Sequence, residues 1–429
     1  MSSRYRVDYH LKEHRRDEFI QWIKALLATP FVLYAENPKV SLTISCGQEE
    51  RVNRDAAERY ADIFQDLETL VAEHLDMCVA GQPNMSRLSQ LVPSIGTFFT
   101  PLPLKKAFHI QDKIRGISKR RLVAPSFNDI RIILNTAQAY QLAAPCCNND
   151  TLKLITFDGD ITLYDDGKNL ELDSKLLHYM IEILKSDIYI GIVTAAGYTA
   201  AEKYEERLQG LISAVKQSSD LTDEQKEHLL VMGGEANYLF QYKGENAGLK
   251  VQDPDTWILN DMKDWEFSDI EAVLDFGEQN LRDLIEKLDM PAMIIRKPRA
   301  VGLIAKSGAS LNREQLEECV LRVDHSLRIF PPASKIKWCA FNGGADVWID
   351  IGDKSLGVQI LQKFIGNQTG MHIEPKHTLH VGDQFASVGS NDYASRTAAT
   401  TAWIASPLET EMLLKEIVTY LQPVCNQSL

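Results

Sequence analysis

Leu154-Ile155-Thr156-Phe157-Asp158-Gly159-Asp160-Ile161-Thr162-Leu163-Tyr164 joins a short apolar run to two carboxylates that flank a glycine. A run of this length, rich in β-branched and aromatic residues, reads as a buried strand. The glycine lets the backbone turn sharply at its end and approach a ligand closely. Working outward, Leu152 to Phe157 is one strand and Ser174 to Leu184 an amphipathic helix. Ile188 to Val193 is a second strand and Thr199 to Val215 a second helix. Strands alternating with helices predict βαβ units and a parallel sheet.

Between about 216 and 335 the rhythm changes. Strands at Tyr238 to Tyr242 and Ala292 to Arg296 mix with long helices at Ile270 to Leu288 and Asn312 to Leu327, which reads as an inserted domain. Alternation resumes with Val347 to Ile351, a helix after Lys354, and strands at Thr378 to Val381 and Ala402 to Ile404. Ahead of residue 145 the pattern is helical, at Asp17 to Ala28 and Arg54 to Cys78, broken by Pro30, Pro38 and Pro83. The expected organisation is a helical region over 1–145, a doubly wound α/β core over 146–215 and 336–429, and an α/β insertion over 216–335.

In a doubly wound sheet, ligands bind outside the carboxyl ends of the strands. Four such ends carry chemistry: Asp158-Gly159-Asp160, Thr194 ahead of Ala195-Ala196-Gly197, Lys354 at a helix start, and the loop from Gly382-Asp383 to Asn391-Asp392. Together they suit attack on a phosphate monoester. One carboxylate is the nucleophile and forms an aspartyl-phosphate, while the second protonates the leaving oxygen and then activates water. Two anions facing an anionic substrate require a hard cation with oxygen ligands, which points to Mg2+. Thr194 donates to a phosphate oxygen, and Lys354 supplies positive charge where negative charge spreads. Taken singly, each feature has an ordinary explanation: a turn, a strand-end hydroxyl or a solvated lysine.

Composition narrows the classes. The 429 residues are 45% hydrophobic and 24% charged, as in a globular protein of two to three domains. A net charge of -13 argues against a nucleic-acid surface. No run of about 18 apolar residues can cross a bilayer. The basic start, His10 to Arg16, lacks a cleavage site and does not read as a signal peptide. Seven scattered cysteines, with only Cys146 and Cys147 adjacent, fit a reduced cytoplasmic compartment. The histidines, including His372, His377 and His380, lack metal-ligand spacing and read as structural.

The four motifs resemble those of the haloacid dehalogenase-like superfamily over about residues 150–200 and 335–405. More narrowly, the chain resembles the IMP-specific 5′-nucleotidase family. That likeness rests on its length, its leading helical region, Phe157 to Gly167, and the stretch Asn342 to Gly357. The resemblance implies IMP as substrate, with Asp158 as nucleophile and Asp160 as acid/base. It implies Asp158, Asp160 (through its carbonyl) and Asp383 as magnesium ligands, and Thr194 and Lys354 on the phosphate. Asp166 and Asp346 are then substrate contacts near the nucleoside. The spacer between Asp383 and Asn391-Asp392 is longer than the family's compact form, which leaves open whether Asn391 or Asp392 meets the metal directly. The resemblance further implies ATP activation and a homotetramer. The basic segment Arg115 to Arg131, with Lys119, Arg120, Arg121 and Arg131, is the candidate effector site, or else a solvated loop. A sugar-phosphate phosphatase, a phosphomutase and a silent nucleotide sensor are the competing functions. No residue that selects hypoxanthine is identifiable.

Overall fold

The computed structural model describes residues 17–35, 46–144, 152–244, 248–386 and 389–422. The His10 to Arg16 run, the Cys146-Cys147 pair and the Ser387-Val388 part of the last loop lie outside these. The chain divides into two compact units. One is Met1–Thr151 with Thr400–Ile404 and Met412–Leu429; the other is Leu152–Ala399 with Ala405–Glu411.

The first unit is built on helices α1 (Glu18–Tyr34), α2 (Cys46–Val79), α3 (Leu104–Arg115) and α4 (Phe127–Ala143). Asp17 caps α1 by accepting from the Ile20 amide at 3.0 Å. Pro30, expected to break this helix, is instead inside it and buried, at the loss of one main-chain hydrogen bond. The apolar faces meet in one cluster that includes Ile23, Leu27, Phe64, Leu67, Phe108, Ile130 and Ile133. At the start of α4, Ser126 and Asp129 form a reciprocal capping box. Thr400–Trp403 is the strand expected near 402–404.

The second unit carries two sheets. The first is formed by β1 (Leu154–Phe157), β2 (Tyr189–Thr194), β3 (Leu229–Gly233), β4 (Tyr238–Lys243), β5 (Gly248–Val251) and a late strand, Thr378–Gly382. The late strand, β1, β2 and β3 are parallel; β4 and β5 continue antiparallel. Every residue of β1, β2 and β3 is buried, as for strands covered on both faces. The helix expected over Thr199 to Val215 divides at Leu208 into α6 (Ala201–Arg207) and α7 (Gln209–Gln217), following α5 (Leu176–Lys185). At the break the Gly210 amide donates to the Leu170 carbonyl and the Arg207 carbonyl accepts from the Leu170 amide, both at 2.8 Å, an approach that Gly210 permits because a Cβ there would lie 2.4 Å from the Glu171 carbonyl oxygen.

The second sheet has the order β6 (Ala292–Lys297), β7 (Ala300–Ala305), β9 (Asp346–Ile351), β8 (Trp338–Asn342), antiparallel throughout. Helices α8 (Phe267–Lys287) and α9 (Arg313–Arg328) share its core, which joins Val273, Leu281, Val320 and Val323 to Val301, Leu303, Val347, Ile349 and Ile351. Because side chains alternate along a strand, the even-numbered residues of β9 stand on the opposite face.

Sheet membership therefore differs from the 216–335 insertion at both ends. Tyr238–Lys243, expected in the insertion, extends the first sheet, because its central residues are buried on both faces. Asp346–Ile351, expected to resume the core, completes the second sheet, because one face packs on helices and the other carries polar groups. The crossing back into the first sheet comes at Gly352, whose φ of +93° suits a glycine. It is followed by α10 (Lys354–Thr369) and then by Thr378–Gly382, hereafter β10.

Candidate active site

Asp158 follows β1 and is 6% exposed. Its amide donates to the Val381 carbonyl at 2.9 Å, so the ladder with β10 fixes it up to its own backbone. Gly159 is confined: an added Cβ would lie 2.5 Å from the Tyr164 hydroxyl and 3.5 Å from Thr194 Oγ1. The chain then turns through Ile161, a β-branched residue at φ +62°. Asp160 stands at the rim. Its carboxylate accepts from Arg207 Nη2 at 3.0 Å and from the Gly167 amide at 3.2 Å. Arg207 also lies 5.3 Å from the Tyr164 ring centroid. Thr194 ends β2, and its hydroxyl accepts from the Ala196 amide at 3.2 Å.

Lys354 opens α10 and is wholly buried. Asp353 caps the helix, accepting from the Leu356 amide at 2.9 Å, and so fixes the direction in which Lys354 enters. The ammonium lies 2.6 Å from Asp158 and 2.6 Å from Asp392. Asp392 also accepts from the Gln384 amide at 2.9 Å. His380 Nε2 stands 3.2 Å from Asp392, with Nδ1 2.9 Å from the Thr156 hydroxyl. One oxygen of each of Asp158, Asp383 and Asp392 lies within 4.8 Å of the others.

Burial raises Asp158 to about 7; Lys354 opposes the rise and Asp392 adds to it. Burial, with Asp158 and Asp392 beside it, raises Asp383 to about 8. Burial would raise Asp392 as well, but Lys354 and His380 outweigh it and hold the group at about 2. Burial disfavours the Lys354 ammonium, but Asp158, Asp392 and Glu235 more than offset it and keep the lysine charged. Asp158 and Asp383 are raised even with Lys354 opposing the rise, so one ammonium does not offset the burial of the cluster. The buried side-chain oxygen of Asn391 also has no hydrogen-bond partner among the described residues. An all-oxygen donor set of this kind fits a hard divalent cation.

The second sheet contributes its polar face. Asp346, Trp348 and Asp350 alternate with the buried Val347, Ile349 and Ile351. Gly302, the register partner of Trp348, leaves room for the indole; a Cβ there would lie 2.5 Å from the ring. Lys297 Nζ sits 4.1 Å from the same ring centroid. Asp166 and Asp346 both approach the Gly343-Gly344 turn. Burial raises the Asp346 carboxyl, a hydrogen bond from Trp348 counters this, and Asp166 adds to the rise. Asp350 is pushed up to about 7 by burial, against Lys297.

The structure thus brings Asp158, Thr194, Lys354 and Asp383 to neighbouring strand and helix ends, with Asp160 at the rim and Asp166 and Asp346 beside the turn. Asp392, whose role the loop spacing left open, meets Lys354 directly. Arg207 and Trp348 were not among the expected site residues. Trp348 reads as sheet packing until its neighbours Asp346 and Asp350 are seen on the same face, and Arg207 lies in an amphipathic helix like any surface arginine.

The basic segment is largely engaged within its own unit. Arg120 and Arg115 pair with Asp129 at 2.7 and 3.0 Å. Arg121 donates to Asn53 and to the Ser118 carbonyl. Arg131 is 2% exposed and donates to the Trp403 carbonyl. Lys119 remains exposed.

A family model described as IMP-specific 5′-nucleotidase matches residues 1–414. The chain is 49% identical over 424 residues to IMP-specific 5′-nucleotidase 1 of Yarrowia lipolytica, covering 98% of each chain. It is 45% identical to the Saccharomyces cerevisiae protein of that name, covering 97% of this chain and 99% of the other. Among solved structures, an IMP-bound variant of Plasmodium falciparum IMP-nucleotidase superposes with a TM-score of 0.78 at 31% identity, covering 94% of each chain. The ATP-bound form of that nucleotidase gives 0.76 at 31% identity, covering 97% of this chain and 88% of the other.

Proposed function

The chain belongs to the IMP-specific 5′-nucleotidase family, and on that footing we propose that it hydrolyses IMP to inosine and phosphate at the mouth formed by Asp158, Asp160, Thr194, Lys354 and Asp383. One observation carries the assignment of residues: a wholly buried lysine lies 2.6 Å from the carboxylate that follows β1, with two further carboxylates alongside. A buried ammonium among carboxylates suits an incoming dianion, because it supplies fixed positive charge in a low dielectric.

Asp158 is the nucleophile. Its oxygen bonds to phosphorus as the bond from phosphorus to the inosine O5′ breaks, and Asp160 gives that oxygen its proton. Asp160 then takes a proton from water, which attacks the aspartyl-phosphate and releases phosphate and free Asp158. Thr194 and Lys354 hold the equatorial phosphate oxygens, while Asp166 and Asp346 meet the nucleoside. Asp158, the Asp160 carbonyl and Asp383 would hold Mg2+, which when bound neutralises carboxylates and phosphate together. The long loop lets Asp392 serve Lys354 while the Asn391 oxygen is available towards the cation.

ATP is the proposed activator, in line with the ATP-bound Plasmodium falciparum nucleotidase, and the enzyme is proposed to work as a cytoplasmic homotetramer. Within the basic segment, contact with effector phosphates falls first to the exposed Lys119. Arg120, Arg121 and Arg131 as effector ligands would first have to leave their present partners. Cys78, Cys319 and Cys339 are free thiols, compatible with a reducing compartment. Among the described residues, no helix is long and apolar enough to cross a membrane.

The test is kcat/KM for IMP against AMP, GMP and a set of sugar phosphates, with magnesium present and after its chelation. IMP is expected to lead, and chelation to stop turnover. A sugar phosphate ahead of IMP would transfer the site to that substrate class.

A further inference from the structure

Glu235 lies in the turn after β3 and has no part in the reaction just described. It combines two unfavourable features. Its φ is +63°, in the left-handed region that non-glycine residues seldom occupy. Its side chain is fully buried, and neither carboxyl oxygen has a hydrogen-bond partner among the described residues. Both are costly, and such costs persist where the surroundings over-determine a residue, as at functional sites.

The turn is tied on three sides to the phosphate site. The Glu235 amide donates to the Thr194 carbonyl at 3.0 Å, and the Gly234 amide to Ala196 at 2.9 Å. The Glu235 carbonyl presses on α10: a Cβ at Gly357 would lie 2.3 Å from it, one helical turn on from Lys354. Asn237 Nδ2 donates to both the Gly234 and Ile351 carbonyls at 2.6 Å, fastening the turn to the segment that leads into Lys354. The charged groups around the carboxyl are Lys354, Asp350, Asp158 and Asp392, with the Cys339 thiol also near. Burial, opposed by Lys354 and reinforced by Asp350, Asp158 and Asp392, raises the Glu235 carboxyl well above its ordinary value.

We propose that Glu235 is a positioning residue for phosphoryl transfer: its turn sets the spacing between Thr194 and Lys354, and its buried side chain holds that turn in place. This rests on the phosphohydrolase reading above. Glutamine keeps the length and shape of the glutamate side chain. Glycine removes the side chain and adopts left-handed φ without strain, so a purely structural residue would give a glycine variant at least as stable and as fast as the parent.

The experiment measures melting temperature, kcat and KM for IMP in the parent, Glu235→Gly and Glu235→Gln. The glycine variant is expected to melt at or above the parent temperature, with kcat down at least about tenfold and KM changed less than about threefold. Glu235→Gln is expected within about threefold of the parent kcat. A glycine variant with parental kcat overturns the proposal, as does one that melts well below the parent. A glutamine variant as slow as the glycine variant also overturns it. A parent silent on IMP and on other phosphate monoesters instead refutes the underlying reading and takes this inference with it.

Discussion

Lys354 carries two predictions, one for stability and one for the proposed chemistry. Its ammonium is wholly buried and lies 2.6 Å from Asp158 and from Asp392. Removing one partner of a buried ion pair leaves charge uncompensated and costs about 3–5 kcal/mol. Losing fixed positive charge at a phosphoryl site slows the reaction by about 10²–10³. Lys354→Ala is therefore expected to lower both the melting temperature and kcat, read by a thermal scan and by phosphate release. Parental turnover in a folded Lys354→Ala protein would contradict the role given to it. The lysine was legible in the sequence as a helix start following an apolar run, although that run proves to be a strand of the second sheet and not of the parallel one. Glu235 was not legible, since an acid in a Gly-Glu-Ala turn shows neither its left-handed backbone nor its burial.

At the scale of elements, α4 depends on its first turn. Asp129 closes the capping box with Ser126 and pairs with Arg115 and Arg120. Burial opposes its ionisation, but Arg120, the Ser126 amide and hydroxyl, and Arg115 outweigh it and hold the carboxyl well below its usual range. A carboxyl depressed in the folded state adds stability above its unfolded value of about 3.9, and this is lost as pH falls through the folded value. Asp129→Ala is expected to cost about 2–4 kcal/mol at pH 7, through the lost cap and the broken pairs. The difference in melting temperature between parent and variant should shrink below about pH 4. A gap constant from pH 7 to pH 3 would show that the charge contributes nothing. Capping signals of this kind are local and readable in sequence. The sheet boundaries were not, because β4 and β9 have similar apolar content and only tertiary packing shows that β4 is covered on both faces and β9 on one.

The whole chain carries a net charge of -13 yet is expected to bind an anionic substrate. The structure answers this locally, with Lys354 buried among carboxylates and Arg207 and Lys297 near the rim and the second sheet. The alternation of strands and helices over 152–217 was readable from periodicity and from the polar residues that end each run, whereas which sheet β4 and β9 join was not. The joining of residues far apart in sequence was not: Asp392 reaches Lys354, and Asp166 shares the Gly343-Gly344 turn with Asp346, only through the fold. In the proposed mechanism these contacts serve a single chemical event, the passage of a phosphoryl group onto Asp158. It is tested by mixing the enzyme with IMP carrying a labelled phosphate, quenching in acid within a turnover, and mapping the label. The account predicts a hydroxylamine-labile label on the peptide that contains Asp158, absent from Asp158→Asn, which should also release no phosphate. Parental phosphate release by Asp158→Asn, or a label mapped to another residue, would contradict it.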